Sequence, residues 1–235
     1  MPNSKKYFEK YLKAIDAPLP ELKTTFYNEK KMLSEILMNR SRNSLEMITA
    51  LDMGCGAGRT IISLIKNLKK GYYSFYGVDN NPEMKEEARR RTIKDKDASW
   101  RIRNKYVVED VFSNNLILRI EPPHVVFSSY NLIGSIEPEK RNKLITVKKT
   151  LSLSKAHIIT TSWKQTPYVK KFLYEYYKNL GFNDVEIYKE RSVVDGVSFY
   201  RVSIDEMVEL YRDNNIRDIR VKDLGLWNAI VGRNS

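Results

Sequence analysis

Three glycines at alternate positions interrupt an apolar run in the stretch "ALDMGCGAGRT", which spans residues 50–60. Gly54, Gly56 and Gly58 follow residues typical of a buried strand, and helical periodicity resumes at Thr60. Glycine permits positive φ angles and lets a backbone approach a ligand closely, while the helix that follows offers free N–H groups. The stretch therefore predicts a ligand-binding turn between a strand and a helix.

The acidic residues around this turn indicate what kind of ligand it binds. The spacing is G-x-G-x-G rather than the dinucleotide pattern G-x-G-x-x-G, and Asp52 before it suits an ammonium group better than a pyrophosphate. Asp79 ends the strand "YSFYGVD", where a carboxylate can accept hydrogen bonds from ribose hydroxyls. Asp110 ends a third strand, where it can accept from an adenine amino group while Val111 packs on the ring. Either Asp79 or Asp110 alone could be a loop cap, but together with the glycines they predict an adenosyl ligand that carries a positive charge.

The elements that position these residues alternate between strand and helix from residue 45 to residue 163. This alternation is typical of a parallel sheet with right-handed crossovers, in which ligands bind beyond the carboxyl ends of the strands. Asn81 suits the N-cap and Pro82 the first position of the helix after the second strand. Two helices are predicted before the first strand, at 4–15 and 27–38.

After Trp163 the alternation is delayed by a helix and by a β-hairpin that turns at Asp195 and Gly196. A helix and two strands joined at Gly225 then complete the chain. We expect one α/β domain over residues 1–235. Its predicted parts are N-terminal helices at 1–44, a cofactor-binding core at 45–165, a cap inserted after strand 5 at 166–203, and a C-terminal helix and strand pair at 204–235.

Composition narrows the class of protein. The chain has 235 residues, a net charge of +12 and a hydrophobic share of 42%, which fit one large globular domain. The charged start "MPNSKKYFEKYLKAID" does not resemble a signal peptide, and no apolar run is long enough to span a bilayer, so we expect a cytoplasmic protein. A single cysteine and two histidines make a metal site improbable. His124 and His157 precede their strands and should lie at the edge of the sheet away from the cofactor.

The motifs "LDMGCGAGRT", "YGVDNNPEM" and "VVEDV" resemble the first three motifs of class I S-adenosylmethionine-dependent methyltransferases, over residues 45–163 and the final strand pair. The resemblance implies a Rossmann-like, seven-stranded, mostly parallel α/β sheet whose last strand is antiparallel. It also implies that S-adenosylmethionine is the cofactor and S-adenosylhomocysteine the product. Cys55 is then a small residue in the family's "GCG" rather than a nucleophile. The predicted cofactor-binding residues are Asp52, Gly54, Cys55, Gly56, Gly58, Asp79, Asn80, Asp110, Val111 and Ser128.

Methyl transfer is an in-line displacement at an activated methyl group, so the protein mainly aligns the acceptor and excludes water, and a dedicated base is optional. The fourth strand ends in "SSYNLIGS", near the sulfonium in this fold. We predict that Ser129, Tyr130 and Asn131 orient the acceptor; strand-end capping is the alternative role for each. The segment lacks the N-P-P-Y or D-P-P-Y signature of enzymes that methylate adenine bases or protein glutamine.

The predicted cap carries an aromatic face formed by Tyr168, Phe172 and Tyr176, which could enclose a small acceptor, even a cationic amine. Packing of the cap helix on the sheet is the alternative explanation. Trp163 at the end of the fifth strand and Tyr27 in the second helix are further candidates for the acceptor side. Tyr27 resembles N-terminal aromatic residues that cover the cofactor in the small-molecule branch of the family.

The basic residues near the second and third strands should flank the sheet rather than lead to the active site, so a solvated surface is favoured over an RNA track. We therefore predict an enzyme that methylates nitrogen or oxygen of a small molecule. A methyltransferase acting on tRNA or rRNA is the alternative, and a non-catalytic interaction module is the second. The basic residues are Arg89, Arg90, Arg91, Lys94, Lys96, Arg101, Arg103 and Lys105.

Overall fold

The computed structural model describes residues 4–42, 46–68, 70–94, 102–113 and 115–235. Seven strands form one sheet in the order β3-β2-β1-β4-β5-β10-β9, and three further strands form a second sheet, β6-β7-β8. The strands are β1 Ile48–Met53, β2 Tyr73–Asp79, β3 Ile102–Val108, β4 Val125–Ser128, β5 His157–Trp163, β6 Val185–Ile187, β7 Arg191–Val194, β8 Val197–Tyr200, β9 Arg217–Asp223 and β10 Trp227–Arg233.

Helices cover both faces of the large sheet and connect its parallel strands. Asn81 caps one of them as predicted, because its Oδ1 accepts from the backbone N–H groups of Glu83 and Met84 at 2.8 and 3.4 Å. The helices are α1 Ser4–Asp16, α2 Pro20–Arg42, α3 Arg59–Asn67, α4 Pro82–Lys94, α5 Leu116–Arg119, α6 Leu132–Ser135, α7 Arg141–Leu151, α8 Pro167–Asn179 and α9 Ile204–Asp213, with a 3₁₀ turn at Pro138–Lys140.

The predicted sheet is confirmed. β1 pairs in parallel with both β2 and β4, and β10 runs antiparallel between β5 and β9. Because β1 lies between β2 and β4, Asp52 pairs with Gly77 on one side and with Phe127 on the other. The carboxyl ends of these three strands therefore meet at one edge, which is where the glycine turn begins.

Apolar side chains alternate between the two faces of the large sheet, as its buried strands require. Ile48 and Ala50 of β1 belong to the core on one face, with α2, α3 and α8. Leu51 and Met53 belong to the core on the other face, with α7 and α9. The sheet is thus buried on both sides, which holds the ends of its central strands in place.

Several boundaries differ from those predicted. α2 runs over Pro20–Arg42, well beyond 27–38, because proline is tolerated at a first helical position. The first strand begins at Ile48, and Leu45 lies outside the described residues. The short helices α5 and α6 were not predicted, since four residues are too few to show helical periodicity.

The segment between β5 and α9 contains α8 and the three-stranded sheet. The predicted hairpin turns at Asp195 and Gly196, both at positive φ, and β6 adds a third strand beside it. This segment contacts the core at Gly134, where a Cβ atom would collide with the carbonyl oxygen of Tyr200. A glycine is therefore required for the small sheet to approach α6. Among the described residues, no helix has both the length and the apolar character needed to cross a membrane.

Candidate cofactor and acceptor site

A cavity of about 400 Å³ lies at the carboxyl-terminal edge of the large sheet. Gly54 and Gly56 form part of its floor, together with Asp79 and Asn80 from the end of β2. Its volume falls within the range of small-molecule sites. The turn after β1 and the end of β2 therefore border one cavity, as the sequence predicts.

The carboxylate of Asp79 links the glycine turn to the end of β2. Its Oδ2 accepts from the backbone N–H of Gly56 at 2.9 Å, and its Oδ1 accepts from the backbone N–H of Asn81 at 3.0 Å. Burial raises the pKa of Asp79, and the two backbone hydrogen bonds oppose that rise. Each oxygen keeps a further lone pair that can accept from a ligand hydroxyl.

Gly56 is the glycine whose lack of a side chain matters most for this cavity. It has φ +51°, and a Cβ atom there would collide with the hydroxyl of Tyr11 from α1. Tyr11 of helix α1 therefore packs directly against the glycine turn. Tyr11 lines the cavity but was not predicted as a site residue, because its helical spacing indicated only a buried face.

Two other residues of the predicted cofactor set face the protein interior. A Cβ atom on Gly58 would lie 2.9 Å from the hydroxyl of Tyr106 and 3.1 Å from Cβ of Ala88, so this glycine allows close packing of α4 and β3. The thiol of Cys55 is buried, and burial raises its pKa well above the usual value. A protonated, buried thiol agrees with the interpretation of Cys55 as a small residue.

A group of buried charges lies beneath the glycine turn. Asp52 is 1% exposed, and its Oδ1 has no hydrogen-bond partner among the described residues. Arg59, the first residue of α3, donates to Glu29 of α2 at 2.5 Å and stacks on Phe26. Burial raises the pKa of Asp52 well above its usual value, and the nearby Glu29 adds to the rise.

Burial lowers the pKa of Arg59, but the Glu29 carboxylate outweighs this and the net pKa is raised. The group thus holds one guanidinium and two carboxyl side chains, which suits an additional cation. A buried carboxyl oxygen without a partner fits the ammonium group that the sequence predicts for Asp52. Glu29 and Arg59 were not predicted, because their pairing joins α2 to α3 across 30 residues of chain.

The third acid is more exposed. Asp110 lies just beyond β3, and its Oδ1 accepts from the backbone N–H of Phe112 at 2.8 Å, while Val111 is buried. Neither residue lines the 400 Å³ cavity. The second carboxyl oxygen of Asp110 is not used in this turn and remains available to a ligand amino group.

The end of β4 combines a buried lysine with the predicted residue Ser128. Lys148 of α7 is fully buried, and its Nζ lies 2.6 Å from Ser128 Oγ, 2.7 Å from Thr160 Oγ1 and 2.8 Å from the carbonyl oxygen of Ile159. Burial lowers the pKa of this amine well below its usual value, and Asp52 opposes the shift. Ser128 is therefore engaged inside the protein, where it fixes the end of β4.

The residues that follow Ser128 line the cavity. Tyr130 and Asn131 adopt left-handed backbone conformations, with φ +56° and +65°. Asn131 is held at both ends of its amide, since Nδ2 donates to the carbonyl of Tyr200 at 2.9 Å and Oδ1 accepts from the backbone N–H of Trp163 at 3.4 Å. Ser129, Tyr130 and Asn131 all line the cavity. The side chain of Asn131 also joins the end of β4 to the backbone of Tyr200 and of Trp163.

Aromatic rings also line this cavity. The hydroxyl of Tyr130 is hydrogen-bonded to that of Tyr176 from α8. Trp163 packs edge-on against Trp227 with ring centroids 5.2 Å apart, and Phe172 stacks on Tyr176 at 5.8 Å. Burial raises the pKa of Tyr130 to about 12 and the pKa of Tyr176 well above its usual value. Both hydroxyls are therefore protonated at neutral pH.

The predicted aromatic face of α8 divides between interior and solvent. Phe172 and Tyr176 are buried, and Tyr176 lines the cavity, but Tyr168 is 60% exposed. Tyr27 is 58% exposed on α2, with the Nζ of Lys30 5.2 Å from its ring centroid. Neither Tyr27 nor Tyr168 borders this cavity. Further rings from the segment after β5 do so without having been predicted, namely Tyr177, Phe182 and Phe199.

The basic helix after β2 is largely neutralised by its own neighbours. Arg91 pairs with Glu87 at 2.6 Å and with Asp16 of α1 at 2.7 Å, and Arg89 pairs with Glu86 at 3.3 Å. Lys96 and Arg101 lie outside the described residues. The charges of α4 thus contribute to the contact between α4 and α1 more than to an open cationic surface.

Comparison with known proteins agrees with this geometry. The family described as "Methyltransferase domain" matches residues 50–151. The carboxy-S-adenosyl-L-methionine synthase of Nautilia profundicola is 23% identical over 209 residues, which cover 86% of this chain and 82% of that protein. The PH0226 protein of Pyrococcus horikoshii has a TM-score of 0.71 at 16% identity, with 98% and 99% of the two chains covered.

The magnesium protoporphyrin IX methyltransferase of Synechocystis, solved with bound SAH, has a TM-score of 0.64 at 14% identity, with 98% of this chain and 95% of that chain covered. The sheet order, the glycine turn and the acid after β2 agree with the Rossmann-like fold of methyltransferases. Residues 50–151 thus form a methyltransferase domain, and the fold is that of the class I S-adenosylmethionine-dependent enzymes, which supports a methyl-transferring enzyme that uses S-adenosylmethionine.

Proposed function

We propose that the enzyme transfers the methyl group of S-adenosylmethionine to a nitrogen or oxygen atom of a small-molecule acceptor. The observation that supports this most strongly is the aromatic lining of the cavity. Seven aromatic rings line it, and they come from α1, from the ends of β4 and β5 and from the segment after β5. Such a lining suits a compact, planar or cationic acceptor.

Three features of the chain would hold the cofactor. The turn at Gly54 and Gly56 would receive the adenosyl part against bare backbone, and Asp79 would accept from the ribose hydroxyls. Asp52, with its buried unpartnered oxygen, would accept from the ammonium group. When bound, the cofactor supplies a methyl group already activated by a positively charged sulfur. The protein then needs only to align the acceptor with that group and to exclude water.

The acceptor side offers orientation rather than a strong base. Tyr130 and Tyr176 keep their protons at neutral pH and share one hydrogen bond, so the hydroxyl that accepts this bond would donate its own proton to the acceptor. Ser129 adds a third hydroxyl group. The rings would favour the cationic form of an amine acceptor at the entrance, and the amine would lose its proton to water before methyl transfer.

The known proteins lend support to a small acceptor. The relative from Nautilia profundicola is named for the synthesis of carboxy-S-adenosyl-L-methionine, and the Synechocystis neighbour is named for magnesium protoporphyrin IX. Both names denote small molecules. The arginines of α4 are paired with carboxylates and offer RNA little open cationic surface, which also favours a small acceptor.

The test is a methylation screen with the full-length enzyme and methyl-labelled cofactor. Fractionated metabolite extracts and total tRNA and rRNA are offered separately, and labelled products are identified by mass spectrometry. We expect label in a small molecule, at nitrogen or oxygen, and its loss with Asp79→Ala but not with Asp213→Ala, an acid on the distant helix α9. Label confined to RNA would support the alternative enzyme class, and label on carbon would refute the proposed acceptor atom.

A further inference from the structure

A second cavity, of about 650 Å³, lies at the opposite edge of the large sheet. Ile48 begins β1 and His157 begins β5, and both line it. The six residues of β1 separate this edge from the glycine turn by about 20 Å. Its remaining walls come from α2, from the β9–β10 hairpin and from the loops that carry Glu46, His124 and Lys155. The cavity is therefore distinct from the cofactor and acceptor site.

Cationic side chains outnumber acidic ones in the lining of this cavity. Asp218 lies 3.8 Å from Arg233, an exposed pair that is weak in water. Among the described residues, no ion pair involves Arg40, Lys155 or Arg220. The cationic residues of the lining are Arg40, Lys155, Arg220, Lys222 and Arg233, and the acidic ones are Glu35, Glu46 and Asp218.

Arg40 is held in place by neutral acceptors. Its Nε donates to Nδ1 of His157 at 3.3 Å, and its guanidinium also donates to the carbonyl oxygen of Lys155. Because Nδ1 accepts, the neutral imidazole of His157 carries its proton on Nε2, which is thereby a donor. A half-buried guanidinium is thus fixed beside a histidine, and it forms no ion pair with a carboxylate of the part of the chain that the structure describes.

Three guanidinium groups, of Arg40, Arg220 and Arg233, line the same cavity as this histidine. The pKa of His157 is lowered to about 4, first by burial and then by Arg40, Arg233 and Arg220. The pKa of Arg40 is also lowered, by burial and by Arg233. These like charges repel one another, so a bound anion would relieve a cost already present in the folded protein.

Protection of the sheet edge explains only part of this arrangement. Charged residues on an edge strand prevent pairing with other sheets, and this accounts for Arg220 and Lys222 on β9. It does not account for Arg40, which comes from α2 and is partly buried between the helix and the sheet. Residues from separate elements are brought together at one cavity, as in a binding site.

We propose that this cavity binds a phosphate group, either free or carried by a small molecule. Guanidinium groups match phosphate oxygens in pairs, and three arginines and the Nε2–H of His157 can surround one such group. The volume is larger than a phosphate alone needs, and it lies in the range of small-molecule sites. Three probes are used: phosphate, pyrophosphate and adenosine monophosphate. They distinguish binding of the free ion from binding of a phosphate group that belongs to a small molecule.

The experiment uses histidine NMR, since the chain has only two histidines. The full-length protein is titrated with each of the three probes, and the imidazole resonances of His157 and His124 are followed against pH. We expect a saturable shift at His157 and a rise of its pKa from about 4, because an anion offsets the arginine charges. His124 lines the same cavity and should shift with His157. Shifts at the two histidines that grow linearly with probe concentration and do not saturate would overturn the proposal.

Matched arginine variants complete the test. Arg220→Gln should weaken the binding of the best probe about tenfold, since one charge-assisted contact is lost. Arg212→Gln, an exposed arginine on α9 outside this cavity, should leave binding unchanged. S-adenosylhomocysteine should bind Arg220→Gln as it binds the parent protein. Equal affinity of the parent and Arg220→Gln for all three probes would also overturn the proposal.

Discussion

Replacement of Asp79 by alanine is the most informative change at the cofactor site. The carboxylate accepts from the backbone N–H of Gly56 at 2.9 Å and from that of Asn81 at 3.0 Å, and it borders the cavity. Alanine removes both acceptors from the glycine turn and removes the predicted acceptor for ribose hydroxyls. One perturbation therefore affects the shape of the turn and its contact with the cofactor.

The expected loss of cofactor affinity follows from hydrogen bonds to a charged acceptor. Such bonds contribute about 1.5–3 kcal/mol, and water that enters the open cavity can replace part of this. We expect binding to weaken by about 1–3 kcal/mol, which corresponds to a dissociation constant about 5- to 150-fold higher. Asp79→Asn should also bind more weakly than the parent, because its amide N–H₂ would face a backbone N–H donor.

Calorimetric titration with S-adenosylhomocysteine measures this loss directly. Thermal unfolding without ligand separates a loosened turn from a damaged fold, and Asp213→Ala serves as a matched control on α9. We expect the control to bind as the parent does. An unchanged dissociation constant for a folded Asp79→Ala variant would refute the role assigned to the acid at the end of β2.

Three further changes test the fold around the site. Gly134→Ala should lower the free energy of unfolding by about 1–3 kcal/mol, because a Cβ atom would collide with the backbone of Tyr200, whereas Gly181→Ala meets no neighbouring atom and should cost only about 1 kcal/mol for its positive φ; equal melting temperatures would contradict this packing. Lys148→Ala should cost about 2–4 kcal/mol in denaturant unfolding, since it opens a cavity and leaves buried acceptors unpaired; an unchanged midpoint would be inconsistent with that network. The pKa of His157 is lowered in the folded protein from 6.5 to about 4, so the unfolded chain binds more protons in that window and stability should fall as the pH drops through it. His157→Gln should flatten this dependence, and an equally steep fall in the variant would show that other groups cause it.

The parts of the site that could be predicted are those formed by residues near one another in the chain. Gly54, Gly56 and Asp79 lie at strand ends, and the alternation of strands and helices places such ends at a single edge. The mostly parallel, seven-stranded sheet with an antiparallel last strand followed from the same alternation together with the family resemblance. Local turn chemistry also predicted the cap at Asn81 and the hairpin turn at Asp195 and Gly196.

The parts that could not be predicted depend on contacts between distant segments. Tyr11 reaches Gly56 from α1, and its sequence spacing indicates only an apolar helix face. Glu29 meets Arg59 across two helices, and Lys148 meets Ser128 across a helix and a strand. A charged residue in a helix looks solvent-exposed in the sequence, because its buried partner is fixed only by tertiary packing.

A crystal structure of the full-length protein soaked with S-adenosylhomocysteine tests the central claim most directly. We predict that the adenosyl group lies along the turn at Gly54 and Gly56, that its ribose hydroxyls lie within hydrogen-bond distance of Asp79, and that its ammonium group meets Asp52. Density for the ligand elsewhere in the protein, or no density at a saturating concentration, would contradict the assignment of this edge of the sheet as the cofactor site.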